Sequence, residues 1–526
     1  PGLVLGNQTG TAVVNATLNL TSGALTLGGD LSSIGTVTST LNLSGGTLDL
    51  GGNDIVGITA LTFASGTLKN VASINGAGGL TKTGTGLLTL DGTIGYTGTT
   101  TINAGTLRVG PSTGTSVTTS LVTSADIVNN AALILRRTDA ADVDLTPSIS
   151  GTGSVTFEGT GVSNQSRYAM NNASSYSGGS SLAQCRVNLT TATGLGSGLI
   201  TIGSGAGLFI NGAGTVANAL NLAGNGWVEG SGQLGALRLS SGSVITGSTT
   251  LAANARITVN TGSTATISGP ISGAFALELG EDTTAGRLNL NGTHSYTGTT
   301  TISHGTLALG GALTSHIINN AILAPQGTPA TTGSLSNNTT YQTRLTTTAT
   351  DTLSVGGRVT LARTLDPVPG PGLTPGTVPI ILSKTSPGAI TGTFTAKPQS
   401  SVWTEDGYSW QISYTAGDGN DIAVTLVTPL EAWRYQNYGQ TTNTGPSADL
   451  ADPDGDGLSN LLEYATGMSP NASNAMPLTV TKTGNVLDFT YTQNKSATDV
   501  TYVVEWSDDL ISWDTAGITS NVLKED

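Results

Sequence analysis

The run GLLTLDGTIGYTGTTTINAGTLRVG at residues 86–110 recurs as GRLNLNGTHSYTGTTTISHGTLALG at residues 286–310, an offset of 200. Gly92/Gly292, Tyr96/Tyr296, Gly98/Gly298, Ile102/Ile302, Gly105/Gly305 and Leu107/Leu307 align without a gap. A more diverged copy, SYSGGSSLAQCRVNL, places Tyr176, Gly178, Leu182 and Val187 at the corresponding positions and Cys185 where the others have glycine. Within each copy, apolar and small polar residues alternate, as in Leu88-Thr89-Leu90, and Gly, Ser or Asn closes each run. Period two with turn residues at the ends is the pattern of short β-strands.

The same grammar extends in both directions from these copies. Thr17-Leu18-Asn19-Leu20, Leu25-Thr26-Leu27 and Leu48-Asp49-Leu50 repeat it, and Leu25, Leu48, Leu68, Leu88 and Leu107 follow one another at spacings of 23, 20, 20 and 19. A period near twenty marks one coil of a solenoid. The expected fold class is all-β: a right-handed parallel β-helix over residues 1–428, with two or three strands per coil. Leu, Ile and Val point inward, Thr and Ser outward, and Gly or Asn takes the positive-φ corners. About twenty coils at ~4.8 Å would give a rod on the order of 100 Å long.

Composition agrees with that reading. Glycine supplies 74 of 526 residues, hydrophobic residues 37%, charged residues 10% and proline only 18 positions. Collagen is excluded because glycine has no three-residue period, and disorder by low charge with ample apolar content. No apolar stretch approaches the ~18 residues of a membrane-spanning helix, so no membrane insertion is expected. The opening PGLVLGNQTG lacks the basic region and apolar core of a signal peptide, as in a mature form or a fragment. From residue 429 onward fourteen acids face four bases, so this tail carries −10 of the net −14. The preceding 428 residues hold 19 acids and 15 bases, with no basic stripe to follow phosphates, and no nucleic-acid partner is expected.

The solenoid motifs resemble the autotransporter-associated β-strand repeat, whose pattern is read here as Gly78-Gly79-Leu80-Thr81-Lys82-Thr83-Gly84, Leu88-Thr89-Leu90, Tyr96-Thr97-Gly98 and Thr101-Ile102-Asn103-Ala104-Gly105-Thr106-Leu107. The resemblance implies a secreted, extracellular or cell-surface β-helix of the passenger type, often in adhesin-like proteins. A barrel of alternating ten-residue strands at the chain's end is not seen in the sequence.

Candidate chemistry on the solenoid is sparse. His294 and His304 replace Ile94 and Ala104 of the first copy, which reads as surface drift rather than a metal pair. AGDGNDIAV at residues 416–424 carries Gly417, Gly419 and Asp421 as in one calcium-binding nonapeptide, but a single copy reads better as a turn closing the last coil. Cys185 reads as a buried small residue. Asp139, Asp142 and Asp144 beside Arg136 and Arg137 form the one dense charged patch, read as a solvated loop rather than a lyase site. Trp227, Trp403 and Trp410 offer sugar-stacking surfaces, with core burial the plainer reading.

The tail holds sharper chemistry. After a stretch with helical character around Leu430, Ala432, Trp433 and Tyr438, DPDGDGLSNLLEYATG matches D-x-D-x-D-G-x5-E. That spacing folds a loop around calcium: Asp452, Asp454 and Asp456 supply carboxylates, Leu458 a backbone carbonyl, Asn460 the ninth position and Glu463 a bidentate carboxylate from a helix over 458–466. Gly457 permits the turn. This segment, residues 429–476, resembles the dockerin-like or thrombospondin type 3-like calcium loops near the ends of large secreted proteins of Verrucomicrobia and Planctomycetes; dockerins use two copies and one is seen here, so a structural clamp fits better than cohesin binding. Residues 477–526 read as a small sandwich-like β domain with strands at 478–480, 486–491, 502–506, 511–513 and 518–522. The chain enters coil patterning by Val13 with no polar cap, and the terminal β domain is short of strands. Both deficits are met if copies assemble head to tail, residues 1–20 or the first coil completing a neighbour's terminal domain. The function expected is an extracellular structural or adhesive fibre subunit, not an enzyme; a carbohydrate-binding or carbohydrate-processing surface β-helix, with glycans as partners, is the alternative.

Overall fold

The computed structural model describes residues 1–110, 124–140, 142–230, 232–281, 285–327, 330–346 and 351–520. It divides into two units, residues 1–369 with 381–395, and residues 370–380 with 396–526. The first is a parallel β-solenoid of about 15 turns, fewer than the twenty expected. Coils are longer than the period near twenty in places: Leu107 stacks on Leu133 and Phe157 on Leu182.

The three-faced coil is clearest around the second repeat copy. One face stacks Arg287–Leu290, Thr306–Leu309, Ile322–Pro325, Thr340–Leu345 and Leu365–Pro369. A second stacks Thr293–His294, Ala312–Leu313, Ala330–Thr332 and Leu353–Val355. The third stacks Thr300–Ile302, His316–Asn319, Ser334–Asn337 and Val359–Leu361. Alternate residues point into the bore, so Leu288, Leu290, Leu307, Leu309, Leu323, Leu335 and Val359 are buried. Each such side chain contributes about 1.5–3 kcal/mol on leaving water, so the stack is held chiefly by its aliphatic interior.

The two clean copies have the same register: Leu88 pairs with Leu107 and Leu90 with Val109, just as Leu288 pairs with Leu307 and Leu290 with Leu309. Their tyrosines do the same work. Tyr96 Oη lies 2.6 Å from Thr100 Oγ1, which meets Ser124 Oγ at 3.0 Å; Tyr296, Thr300 and Ser315 form the same chain at 2.6 and 2.6 Å. In the diverged copy Tyr176 meets Ser180 at 2.5 Å. Burial raises the Tyr96 and Tyr296 hydroxyls to about 12. These buried hydroxyls remain neutral and partnered, as an apolar bore requires. The Tyr-Thr-Gly glycine answers a different need: a Cβ at Gly298 would sit 2.2 Å from the backbone of Phe275, and one at Gly98 2.4 Å from Gly79 N.

Several sequence readings are corrected. Leu68 does not stack on Leu88 but on Leu90, with Gly66 facing Leu88; Gly66 also passes close to Gly45, whose carbonyl would lie 2.3 Å from a Cβ there. The shift is two residues, so every leucine keeps its inward face. Coil pairing starts at Leu3, which stacks on Leu31, well before Val13. His294 is not on the surface. It is fully buried at the site of Ile94, its Nδ1 accepts from the Ile271 N–H at 3.2 Å, and burial lowers its pKa to about 4. His304, at a neighbouring corner, is half-buried. The Asp139–Asp144 patch is not a loose loop either. Asp142–Asp144 is a strand stacked on Arg167–Met170; Arg137 is buried against Asp139, and Asp142 bridges Arg167 and Arg186. Cys185 is buried, with its thiol pushed up to about 12 by desolvation.

The second unit begins with an antiparallel meander, Val402–Glu405, Tyr408–Ala416 and Asp421–Val427. The nonapeptide-like segment is its second turn, with Gly417 and Gly419 at φ +56° and +104°; it belongs to an antiparallel hairpin rather than to a coil. Trp410 is buried there, as Trp227 is in the solenoid, while Trp403 stacks under Lys397. Two helices follow, α1 (Pro429–Tyr438) and α2 (Asn460–Thr466). The C-terminal sheet is smaller than the sequence suggested: Leu478–Thr483 and Val486–Tyr491 form a hairpin, and beyond it Trp506 and Asp514 make one bridge. The expected strands at 502–506 and 511–513 give way because Asp509 accepts hydrogen bonds from the Ile511 and Ser512 N–H groups and turns the chain. Part of the 518–522 segment lies outside the described residues.

Candidate metal centre

Helix α1 is set by its first turn. Thr428 Oγ1 accepts from the Glu431 N–H at 3.1 Å and the Glu431 carboxylate accepts from the Thr428 N–H at 2.8 Å, a reciprocal cap ahead of Pro429. One turn on, buried Arg434 pairs with Asp449 and so ties α1 to the start of the acidic loop. Trp433 packs against Tyr438 and Tyr464 with ring centroids 6.2 and 5.6 Å apart, which fixes α2 beside α1. The helix expected over 458–466 starts two residues later, with Ser459 at its N-cap.

Between the helices the loop folds on its own carboxylates. Asp452 Oδ1 accepts from the Gly455 and Asp456 N–H groups at 2.9 and 3.2 Å, and its Oδ2 from Gly457 at 2.9 Å. Asp456 Oδ1 accepts from the Leu458 N–H at 2.8 Å. Gly455 and Gly457 hold φ of +75° and +90°, conformations that a side chain disfavours. The result brings one oxygen each of Asp452, Asp454 and Asp456 within 4.8 Å of one another. Glu463, on α2, is fully buried.

The electrostatics are unbalanced. Burial, then the charges of Asp454, Asp456 and Asp452, push the Glu463 carboxyl up to about 7. Desolvation and the neighbouring Asp456 raise Asp454, whereas the Gly457 N–H holds Asp452 below the usual range. Asp454 Oδ2 and Glu463 Oε2 are buried without a hydrogen-bond partner among the described residues. Buried carboxylate oxygens without donors are costly, and a hard cation satisfies them because it takes only oxygen ligands and several at once.

Asn460 is placed otherwise. Its side-chain N–H groups donate to the Pro446 and Ala448 carbonyls and its Oδ1 accepts from Tyr438, so the amide braces the loop from beneath. Leu458 buries its side chain at the loop's exit. Two participants escaped the sequence reading. The Asn474 N–H donates to Asp456 Oδ2 at 2.6 Å, and its amide approaches Glu463 Oε1 at 3.5 Å. Tyr438 lies close enough that burial and Glu463 raise its hydroxyl pKa. Only the clustering of Asn471 and Asn474 in a Ser-Pro-Asn turn hinted at the former.

Fold and loop together define a parallel β-solenoid followed by a small unit with an acidic loop. The Passenger-associated-transport-repeat family matches residues 80–109 and 285–309, the two windows of the self-repeat, and the match stops short of the acidic loop. The chain is thus similar to passenger β-helices of autotransporters over about a tenth of its length, which implies a secreted or surface-exposed protein. No curated protein matches the chain. Among the described residues no helix is long and apolar enough to cross a membrane.

Proposed function

We propose that the chain is a structural segment of an extracellular β-helix protein, an adhesive or matrix fibre subunit whose second unit is clamped by one calcium ion. The observation that carries the reading is how the solenoid uses its charges. Arginines and acids on successive coils are spent on one another: Arg136 with Glu158, Arg186 and Arg238 with Glu229, Arg256 with Glu278. Ion pairs stacked along a bore of aliphatic side chains suit a load-carrying scaffold more than a reaction centre. The carbohydrate-processing alternative has less support, since Trp227 and Trp410 are in the core rather than along an outward groove.

The calcium assignment is supported by the two donorless buried oxygens, Asp454 Oδ2 and Glu463 Oε2, and by the oxygen-only cluster of Asp452, Asp454 and Asp456, which has no His or Cys. Asp452, Asp454, Asp456 and Glu463 would hold the ion, with the Leu458 carbonyl as a fifth donor, and Asn460 would position the loop. Bound calcium supplies positive charge that lets all four carboxyls ionise together.

Head-to-tail assembly, with residues 1–20 or the first coil completing a neighbour's terminal domain, draws its support from the terminal hairpin. The C-terminal hairpin aligns Val480 with Phe489 and Lys482 with Leu487 on one face, leaving Val480, Leu487 and Phe489 exposed. Negative-stain imaging in calcium is expected to show fibres that disappear on Phe489→Glu with Leu487→Glu and on deletion of residues 1–20. Fibres unchanged in both variants, or monodisperse wild type at every concentration, would end the assembly reading.

A further inference from the structure

One recess on the solenoid is left unused by everything above. On one face Asn289, Ala308 and Ala324 follow one another on successive coils, with both alanines buried. Against Ala324 and Pro325 lies a cleft of about 450 Å³. Arg287 stands at one side; Gln342 and Arg344 stand at the other, with Asp351 and Val368 completing the wall. Each polar group is braced by a neighbour. Arg287 Nε donates to Asn289 Oδ1 at 3.2 Å, Gln342 Nε2 to Asp366 Oδ2 at 2.8 Å, and Arg344 Nε lies 3.7 Å from Asp351 Oδ2. Asp351 Oδ1 is itself fixed by the Gly327 N–H at 2.8 Å.

The volume is that of a small-molecule site. Its chemistry is mixed in a particular way. Two guanidinium groups offer the planar fork that binds carboxylates, while Asp351 and the Gln342 amide offer acceptors of the kind hydroxyl groups need. A phosphate monoester would gain from the arginines but bring nearly two negative charges against Asp351 and Asp366 where a carboxylate brings one, and a purely apolar ligand would leave the arginines unsatisfied. The floor of Ala324 with Val368 at the rim gives ring carbons an apolar seat. We propose that this cleft binds an acidic saccharide, one uronate carboxylate engaging Arg344 or Arg287 and neighbouring hydroxyls engaging Gln342 and Asp351, with the sugar chain lying across the coils. The site depends on neither the calcium loop nor the assembly of copies.

Calorimetric titration of the full chain with trigalacturonate, an alginate trimer and a hyaluronan tetrasaccharide tests it, with neutral galactotriose as the comparison. At least one uronate oligosaccharide is expected to bind at one site per chain and at least about tenfold more tightly than galactotriose. Arg344→Gln, at a largely exposed side chain, is expected to weaken that binding about tenfold or more with an unchanged melting temperature. Lys69→Gln changes the net charge equally but lies many coils away, and should leave binding intact. The proposal is overturned if none of the three uronates gives saturable binding, if galactotriose binds as tightly, or if Lys69→Gln and Arg344→Gln weaken binding equally.

Discussion

Gly298→Ala isolates the contact that keeps the coils at stacking distance. Gly298 does not hold a positive φ, so alanine brings no backbone strain there, only a methyl group. That methyl would lie 2.2 Å from Phe275 C and O and 2.4 Å from Ala276 N, about 1.2 Å short of ordinary contact, and all three atoms are backbone. Neighbouring coils stand ~4.8 Å apart, so relief requires local separation of the ladder. The nearest inter-coil hydrogen bonds, Thr297 N–H to the Gly273 carbonyl and Leu277 N–H to the Thr299 carbonyl, are both 3.0 Å long and would be stretched or lost. Two such bonds at about 1 kcal/mol each, with an overpacking cost of about 1–3 kcal/mol, give a destabilisation of about 3–5 kcal/mol. Gly10 is the control: a Cβ there meets nothing within 4 Å, and Gly10→Ala is expected to change stability by less than about 1 kcal/mol. Urea unfolding followed by far-ultraviolet circular dichroism, with hydrogen exchange at residues 270–300, reads both the magnitude and its location. Equal midpoints for the two variants would refute the close-stacking argument.

Further expectations concern the buried groups. His294→Ile restores the residue of the first repeat copy and should remove an acid sensitivity. The folded pKa of about 4 lies below the usual 6.5, so the unfolded chain binds the proton first; stability is full above pH 6.5, falls as pH drops toward 4, and the total loss of about 3 kcal/mol is absent in the variant. Tyr296→Phe removes the tyrosine's bond to Thr300, which keeps only Ser315, and should cost about 1–2 kcal/mol in thermal or urea melts. Cys185, with its thiol at about 12, should resist a maleimide or disulfide reagent at pH 8 until the chain unfolds, and rapid native labelling would contradict its burial. Removing calcium with a chelator should lower the unfolding temperature of the second unit, read by the fluorescence of Trp433 beside Tyr464, and Glu463→Ala should abolish the difference.

What the sequence disclosed followed physical periodicity. Leu88, Leu107, Leu288 and Leu307 announced inward faces because strand period two and a coil period near twenty are written directly in residue order. The two-residue offset that sets Leu68 on Leu90 was not legible, since a shift that preserves the inward face leaves the leucine pattern intact. His294 was misplaced because a polar residue in an apolar register reads as surface, whereas a neutral imidazole that accepts one backbone hydrogen bond can replace Ile94 in a core. The ion pairs of Asp142 with Arg167 and Arg186 join residues that are 25 and 44 positions apart, a proximity only coil stacking creates. In the acidic loop the spacing correctly brought Asp452, Asp454 and Asp456 together, but the turn of Asn460 toward Pro446 and the arrival of Asn474 depend on tertiary packing. The terminal domain was over-read because alternation in residues 502–513 ignored the capacity of Asp509 to bond nearby N–H groups.

Direct calcium titration of the intact chain by isothermal calorimetry bears most closely on the reading of this protein as an ion-clamped structural β-helix. The proposed clamp predicts one saturable site, with a Kd between about 10⁻⁷ and 10⁻³ M, lost on Glu463→Ala and accompanied by a higher unfolding temperature for the second unit. A flat titration of the folded chain across that range, or binding that survives Glu463→Ala undiminished, would contradict it.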